Sequence, residues 1–241
     1  MELRGRIALV TGAGRRVGRA LAEALGRSGM RVGVHYHASE QGANETAATI
    51  AAAGGEAVVL PADLRDPSAC TRLVDRVSEH FGGLHVLLNS AASMYRTPVG
   101  EVTAERWDDI MALNLRAPFF CAQAAVRHMR DGGAIINIAD LGALEVWPAY
   151  IPHGVSKAGL LHLTRSLARA FAPGVRVNAI APGTVLPPDD WSDDDGNALR
   201  RSTPLQRHGA PDDVVNAMLY LLSADYVTGE TLVVDGGRHI R

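Results

Sequence analysis

Residues 7–18 of the chain read Ile7-Ala8-Leu9-Val10-Thr11-Gly12-Ala13-Gly14-Arg15-Arg16-Val17-Gly18. The four apolar residues that open this stretch predict a buried strand, and the glycines after them allow a sharp turn. From Val17 to about Gly29, apolar residues recur at a spacing of three and four, which predicts a helix. In a strand, glycine-rich turn and helix of this kind, the backbone approaches a phosphate closely and the helix N-terminus offers N–H groups. The stretch therefore predicts a site for the pyrophosphate of a dinucleotide.

Strand-like and helix-like segments alternate along the rest of the chain. The predicted strands after the first are residues 31–36, 58–60, 84–88, 134–138, 175–180 and 231–234. The longest predicted helices cover residues 103–130, 154–171 and 211–222. This alternation is typical of a doubly wound parallel sheet. We therefore expect one Rossmann-like α/β domain with a seven-stranded parallel sheet over residues 1–241.

One long irregular segment, residues 183–204, interrupts the alternation and is rich in proline and aspartate. It directly follows a predicted strand, at the edge where open α/β sheets bind their ligands. A loop of this length in a compact domain is usually functional or mobile. We predict a substrate lid here, with room for a short helix. Its aspartates either favour a cationic substrate or are simply solvated.

Composition excludes several classes of function. The formal net charge is −2, so no role in binding nucleic acid or a membrane surface follows from bulk charge. No apolar run is long enough to span a bilayer and the N-terminus has no signal-peptide pattern, so we expect a cytoplasmic protein. Cys70 and Cys121 are far apart in sequence and predict two reduced structural thiols, with no disulfide and no metal site.

Further motifs follow one another in a fixed order along nearly the whole chain. They are Thr11, Gly12 and Gly18 in the first turn, Asp63-Leu64, Asn89-Ser90-Ala91-Ala92, Asn114, Pro182-Gly183 and Val234-Asp235-Gly236-Gly237. In this order they resemble the short-chain dehydrogenase/reductase family, with Arg16 in place of the middle glycine of the phosphate loop. The resemblance implies an oxidoreductase that uses a nicotinamide cofactor. It also implies cofactor contacts by Gly12, Val17, Gly18, Asp63, Leu64, Asn89, Ala91, Lys157, Pro182 and Gly183.

Within that family the chain is most similar to pteridine reductases and dihydromonapterin reductases. The shared features are Arg15-Arg16, His35-Tyr36-His37 with Ser39, Asn89 to Ser93 followed by Tyr95-x-Thr97-Pro98, and Asp140. This similarity implies a pterin substrate, with Ser93, Met94, Tyr150 and Trp191 around it. Met94 stands where those enzymes carry an aromatic ring, so a ketone, an oxoacyl thioester or a sugar alcohol stays open as the substrate.

The residues after the second strand indicate which nicotinamide cofactor is bound. Enzymes that prefer NAD place an acidic residue there to hold the ribose 2′-hydroxyl. This chain has no acidic residue at that place and offers His35, Tyr36, His37 and Ser39 instead, with Arg15 and Arg16 in the loop before it. Arginine presents a planar fork that matches a phosphate. We therefore predict NADP(H) as the cofactor.

The predicted catalytic group departs from the family at one position. The family places a tyrosine four residues before a lysine, with an asparagine upstream and a serine or aspartate thirteen residues before the tyrosine. Asn114, Asp140 and Lys157, the only lysine in the chain, match this pattern, but the tyrosine position is His153. Imidazole transfers protons well near neutral pH, so His153 can act as the acid.

Two other interpretations remain open. Either Tyr150 or Asp140 supplies the proton, or the protein binds NADP(H) as a sensor with little turnover. On the retained residues we expect an NADPH-dependent enzyme that reduces a C=O or C=N bond of a small molecule.

The resemblance also implies assembly. In related proteins the helices equivalent to residues 103–130 and 154–171 pair into four-helix bundles. We therefore expect a homo-oligomer, either a dimer or a homotetramer.

Overall fold

A computed structural model of the protein describes residues 1–186 and 193–240. Within these residues seven parallel strands form one sheet in the order β3-β2-β1-β4-β5-β6-β7. The strands are β1 (Ile7–Val10), β2 (Arg31–Tyr36), β3 (Glu56–Pro61), β4 (Val86–Asn89), β5 (Gly133–Ile138), β6 (Val175–Pro182) and β7 (Thr231–Val234). The predicted single, doubly wound, Rossmann-like domain is confirmed. Strand order reverses between β1 and β4, and ligands of open α/β sheets bind at such a reversal.

Helices cover both faces of the sheet. One face carries α1 (Arg16–Arg27), α2 (Glu40–Ala52) and α8 (Pro211–Ser223), and the other carries α3 (Pro67–Phe81), α4 (Ala104–Met111), α5 (Ala117–Ala125) and α6 (Ile151–Phe171). A further helix, α7 (Asp193–Ser202), lies within the predicted lid segment. None of the helices in the described part of the chain is both long and apolar enough to cross a membrane.

The sequence of β1 explains why this strand lies at the centre. All four of its residues are buried. Ala8 and Val10 join the core beneath α1, α2 and α8, whereas Ile7 and Leu9 join the core beneath α3, α5 and α6. A parallel strand that is covered on both faces needs apolar side chains on both sides, so it shows a continuous apolar run rather than an alternating one.

The predicted helix over residues 103–130 is interrupted. It consists of α4, a π-helical turn (Ala112–Arg116), α5 and a final 3₁₀ turn (Val126–His128). Pro118 lies in the first turn of α5 and has no N–H to donate, so it cannot continue the preceding hydrogen-bond ladder. A π turn inside a helix often marks a functional site, and this one carries Asn114.

The predicted start of helix α6 also needs correction. Helix α6 begins at Ile151 and not at Gly154, because Pro152 is tolerated in a first turn where N–H groups have no partner in the helix.

Cys70 and Cys121 are buried and free, as predicted. They are nevertheless not far apart in space, since the two thiols interact between α3 and α5.

Candidate active site

The carboxyl ends of the central strands surround a cleft of about 1150 Å³. It extends from the phosphate loop after β1, past the ends of β2 and β4, to the turn that precedes α6. Most of the predicted cofactor residues line it, namely Gly12, Arg15, Arg16, Val17, Gly18, His35, Tyr36, His37, Ser39, Asp63, Leu64, Ala91, Lys157, Pro182 and Gly183. The predicted residues Asp140, His153, Ser93, Met94 and Tyr150 line the same cleft.

The phosphate loop has the shape that a dinucleotide needs. Arg15, at the N-cap of α1, makes no side-chain hydrogen bond to the helix, so the N–H groups of its first turn stay available to an anion. Gly12 has φ of +67°, and a Cβ there would lie only 2.9 Å from the Cα of Ala91. A Cβ at Gly18 would lie 2.3 Å from the carbonyl oxygen of Gly12. These glycines keep open a cradle that side chains would fill, and the residues present therefore fit a pyrophosphate.

Arg16 occupies a glycine-like position in this loop. Its φ is +52°, in the left-handed region that glycine adopts at no steric cost. This backbone explains why related phosphate loops carry glycine there. The Arg16 guanidinium donates a hydrogen bond to the carbonyl oxygen of Leu186, after β6. The side chain thus reaches from the loop to the segment predicted as the lid.

His35 has a structural role that the sequence did not indicate. Its Nδ1 accepts a hydrogen bond from the Gly12 amide at 3.0 Å, and its Nε2 donates to the Ala62 carbonyl at 3.1 Å. Burial lowers the pKa of His35 to about 4, and the hydrogen bond to Ala62 offsets this only in part. The neutral ring holds the phosphate loop on β2. It therefore offers no positive charge to a 2′-phosphate, although it borders the cleft.

The side chain of Asn89, a predicted cofactor residue, points into the interior of the domain. Its Nδ2 donates to Oδ1 of Asn137 at 2.8 Å, and the Asn137 Nδ2 donates to the Thr164 hydroxyl at 2.9 Å. This buried chain of hydrogen bonds connects β4, β5 and α6. Asn89 is not among the residues that line the cleft, so its side chain fixes the strands that carry the site.

A close pair of side chains, Asp140 and His153, stands at the far end of the cleft. Nε2 of His153 lies 2.6 Å from Oδ2 of Asp140, and Oδ1 of Asp140 accepts a hydrogen bond from the Gly142 amide at 2.8 Å. The His153 side chain is only 2% exposed, whereas that of Asp140 is 23% exposed. Asp140 is therefore the member of the pair that the cleft presents to a ligand.

Asn114 supports His153 from behind. Oδ1 of Asn114 accepts from the Ser93 amide at 2.8 Å, and its Nδ2 donates to the Ser93 carbonyl at 2.9 Å. Nδ1 of His153 lies 3.2 Å from the same Ser93 carbonyl and 3.4 Å from the Asn114 Nδ2. Depending on the tautomer of the ring, Nδ1 can therefore donate to the Ser93 carbonyl or accept from the Asn114 amide.

Lys157 and Asp140 carry opposite charges at this end of the cleft. The Lys157 ammonium donates to the Ile138 carbonyl at 2.8 Å; burial lowers its pKa, and Asp140 counteracts this. Burial also acts to raise the pKa of Asp140. The hydrogen bond with His153, the charge of Lys157 and the Gly142 amide outweigh burial, so the pKa of Asp140 falls below its ordinary value. The carboxyl group is thus ionised near neutral pH.

The predicted substrate residues lie around this pair where the structure describes them. Ser93 has a buried hydroxyl without a hydrogen-bond partner among the described residues, Met94 is 49% exposed, and Tyr150 is the N-cap of α6. Trp191 lies outside the described residues, as do the neighbouring Asp189 and Asp190 of the predicted lid.

Trp147 and Arg238 also line the cleft and were missed from the sequence. The Trp147 indole is parallel to the His153 ring, with an interplanar angle of 2° and ring centroids 6.5 Å apart. Its Nε1 donates to Glu145, which also accepts from Arg238. The sequence could have indicated Trp147, because a tryptophan that follows the fifth strand lies near the ligand-binding edge of the sheet. No pattern near Arg238 in the sequence indicates its contact with Glu145.

Comparison with known proteins agrees with this geometry. The family model described as enoyl-(acyl carrier protein) reductase matches residues 12–239. The chain belongs to the short-chain dehydrogenase/reductase family. It is 36% identical to 3beta-hydroxysteroid dehydrogenase 1 of Eggerthella lenta, over 98% of this chain and 94% of that protein. It is 35% identical to glucose 1-dehydrogenase 2 of Bacillus subtilis, over 98% and 95%.

A solved structure gives the same result for the fold. The crystal structure of a dehydrogenase/reductase from Sinorhizobium meliloti 1021 has a TM-score of 0.93 and 35% sequence identity, and covers 98% of this chain and 97% of that one. The relatives are oxidoreductases, and the family uses a nicotinamide dinucleotide. This chain is therefore assigned to the same broad class.

Proposed function

We propose that the protein is an NADPH-dependent reductase acting on a C=O or C=N bond of a small molecule. One observation carries the proposal: a single cleft holds the open N-terminus of α1 at one end and the Asp140–His153 pair with Lys157 at the other. When bound, the dinucleotide supplies a hydride. The chain binds and orients both reactants, and holds a mobile proton between Nε2 of His153 and Oδ2 of Asp140.

The preference for NADPH rests on the residues around the end of β2. Arg15, Arg16, His37 and Ser39 line the cleft there, and residues 37–39, which directly follow β2, carry no carboxylate. We expect Arg16→Ala to weaken NADPH binding by about tenfold or more and to leave NADH binding unchanged, since one charged contact to phosphate is lost. Intrinsic fluorescence titration measures both affinities. Arg27→Ala, at the other end of α1, is the control, and equal affinity of the parent for both cofactors would contradict the assignment.

Two substitutions of His153 test the proton-handling role. His153→Phe keeps an aromatic ring but leaves the Asp140 carboxylate without its nitrogen partner, and we expect a loss of about a hundredfold or more in turnover. His153→Tyr rebuilds the family pattern and should retain or raise turnover. NADPH oxidation with a pterin or a reactive diketone is the assay. A Phe variant as active as the parent would remove His153 from the mechanism and direct attention to Tyr150.

A pterin is the leading substrate. The Asp140 carboxylate can accept hydrogen bonds from an amino-pyrimidine edge, the Ser93 hydroxyl has no partner among the described residues, and the Trp147 indole offers a flat apolar wall. Turnover of a dihydropterin should exceed that of a simple ketone, an oxoacyl thioester or a sugar alcohol at equal concentration. The reverse order would reject the pterin and keep the reductase.

The second candidate function is a sensor that binds NADP(H) without reducing a substrate. It is favoured by the burial of His153, since both of its ring nitrogens face protein groups and neither is left free toward the cleft. A sensor would bind NADPH tightly and show no turnover across pterins, quinones and ketones. Gain of activity in His153→Tyr alone would identify this second function.

The proposal also includes an oligomeric assembly, a substrate lid and a cytoplasmic location. Phe119, Ile151 and Val155 are exposed apolar residues on α5 and α6, and they fit the pairing of these helices in a dimer or homotetramer. Residues 183–204, which include α7, would close over the substrate. The reaction would take place in the cytoplasm.

A further inference from the structure

The chemistry of the substrate end of the cleft points to a particular charge on the substrate. Asp140 is held as an acceptor from two sides, by His153 Nε2 at 2.6 Å and by the Gly142 amide at 2.8 Å. Its remaining lone pairs face the cleft, where the side chain keeps 23% of its surface exposed. Two cations also border this end among the described residues. Lys157 is almost fully buried and donates to the Ile138 carbonyl, and Arg238 is paired with Glu145 at 3.3 Å. Asp140 therefore offers a negative charge to a ligand that enters.

Aromatic faces stand beside this carboxylate. The rings of Trp147 and Tyr150 are nearly perpendicular, at 78°, with centroids 6.4 Å apart. A Cβ built on Gly142 would lie 2.9 Å from Oδ1 of Asp140 and 3.0 Å from the Trp147 indole, so both groups border the same point. A carboxylate combined with electron-rich ring faces is an arrangement that binds organic cations.

Ser93 lines the same cleft and carries a polar group that the protein does not use. Its hydroxyl is buried, with the residue 9% exposed, and has no partner among the described residues. An unsatisfied buried hydroxyl costs free energy, and a ligand heteroatom in the cleft would satisfy it.

The charge of Asp140 acts differently on the two kinds of reducible bond. When a hydride adds to a ketone, negative charge develops on oxygen, and a neighbouring carboxylate repels it. When a hydride adds to an iminium ion, positive charge disappears and no oxyanion forms. The same carboxylate attracts the iminium ion into the cleft.

We propose that the site selects a substrate whose reducible C=N bond carries a positive charge, an iminium ion, which Asp140 binds beside the Trp147 and Tyr150 rings. This inference rests on the proposed NADPH-dependent reduction. The iminium carbon receives a hydride with its electron pair, and the C=N π pair moves onto nitrogen. The products are an amine and NADP⁺, and no proton is taken from the protein in this step.

The test uses a permanently charged substrate and a neutral one of similar size. N-methyl-3,4-dihydroisoquinolinium has no proton on nitrogen to lose, so it keeps its charge near neutral pH, and 2-tetralone is the corresponding bicyclic ketone. Because the two differ in intrinsic reactivity, the decisive quantity is how their ratio of kcat/KM changes in Asp140→Asn. We expect kcat/KM for the iminium ion, divided by kcat/KM for the ketone, to be at least tenfold lower in Asp140→Asn than in the parent. Asp131→Asn, which removes the same charge from an exposed turn before β5, should leave the ratio unchanged.

A binding measurement without cofactor keeps the inference separate from the reductase proposal. Calorimetry of N-methyl-tetrahydroisoquinolinium, a saturated cation, should give at least tenfold weaker binding to Asp140→Asn than to the parent. Asparagine keeps an oxygen for the Gly142 amide, and circular dichroism checks the fold. Unchanged cation affinity, or an unchanged ratio of kcat/KM, would overturn the assignment. Absence of turnover with both substrates would reject the reductase, while the calorimetry would still decide for or against the cation site.

Discussion

The hydrogen bonds of His35 predict an acid-sensitive fold. His35 is 2% exposed, and its neutral ring accepts from the Gly12 amide and donates to the Ala62 carbonyl. Burial lowers its pKa from 6.5 to about 4, so protonation is harder in the folded chain than in the unfolded chain. The stabilisation is complete above about pH 6.5 and is lost as the pH falls toward about 4.

The size of this effect follows from the two pKa values. The difference between 6.5 and about 4 corresponds to about 3 kcal/mol in total. Integrated between about pH 7.5 and pH 5, the His35 contribution to the free energy of unfolding falls by about 2 kcal/mol. The free energy of unfolding of a native domain is only about 5–15 kcal/mol, so a change of this size is measurable.

Urea unfolding followed by circular dichroism at several pH values provides the assay. His35→Gln is the comparison, since glutamine is neutral at every pH and carries both a donor and an acceptor. Every other titrating group is present in both proteins, so the difference between their pH dependences isolates His35. His80→Gln, at an exposed histidine of α3, is the control. If the parent and His35→Gln lost the same stability on acidification, the reasoning from burial would be refuted.

Three further predictions concern stability and assembly. Arg16→Gly should raise the free energy of unfolding by about 1 kcal/mol in urea melts, because φ is +52° there, whereas Arg15→Gly, at a φ of −161°, should give no gain. Asn137→Ala should lower it by about 2 kcal/mol, since Asn89 and Thr164 would both lose a buried partner. Light scattering should give a dimer or tetramer at micromolar concentration, and a stable monomer would contradict the assembly.

The fold could be predicted because its signals are local and repeated. The apolar run of β1, the glycines after it and the alternation of strand and helix patterns each reflect burial on both faces of a parallel sheet. The interruption of the predicted helix over residues 103–130 was not found, because a π turn such as Ala112–Arg116 leaves the apolar spacing almost unchanged. The early start of α6 was missed because its first turn contains a proline, Pro152, that also fits a loop.

The predicted cofactor residues were largely brought together, whereas the roles of single polar side chains were not readable from the sequence. A motif places a residue at the end of a strand but does not say which way its side chain points. His35 and Asn89 follow the family pattern in sequence, yet their polar atoms are used within the protein, on the phosphate loop and on Asn137. Trp147 was missed because its contact with the His153 ring depends on the path of a loop.

The replacement of tyrosine by His153 has a consequence that only the structure reveals. A histidine side chain is shorter than a tyrosine side chain, so from the same position on α6 its Nε2 reaches Asp140 and does not reach beyond it. Asp140 is therefore the member of this group that is most exposed to the cleft, and His153, Asn114 and Lys157 stand behind it as its supports. The neutral tyrosine hydroxyl of the family, a hydrogen-bond donor, is thereby exchanged for the ionised carboxylate of Asp140, a hydrogen-bond acceptor. That exchange is why we expect the chain to favour a cationic C=N bond over a neutral carbonyl, and why His153→Tyr is expected to favour the carbonyl again.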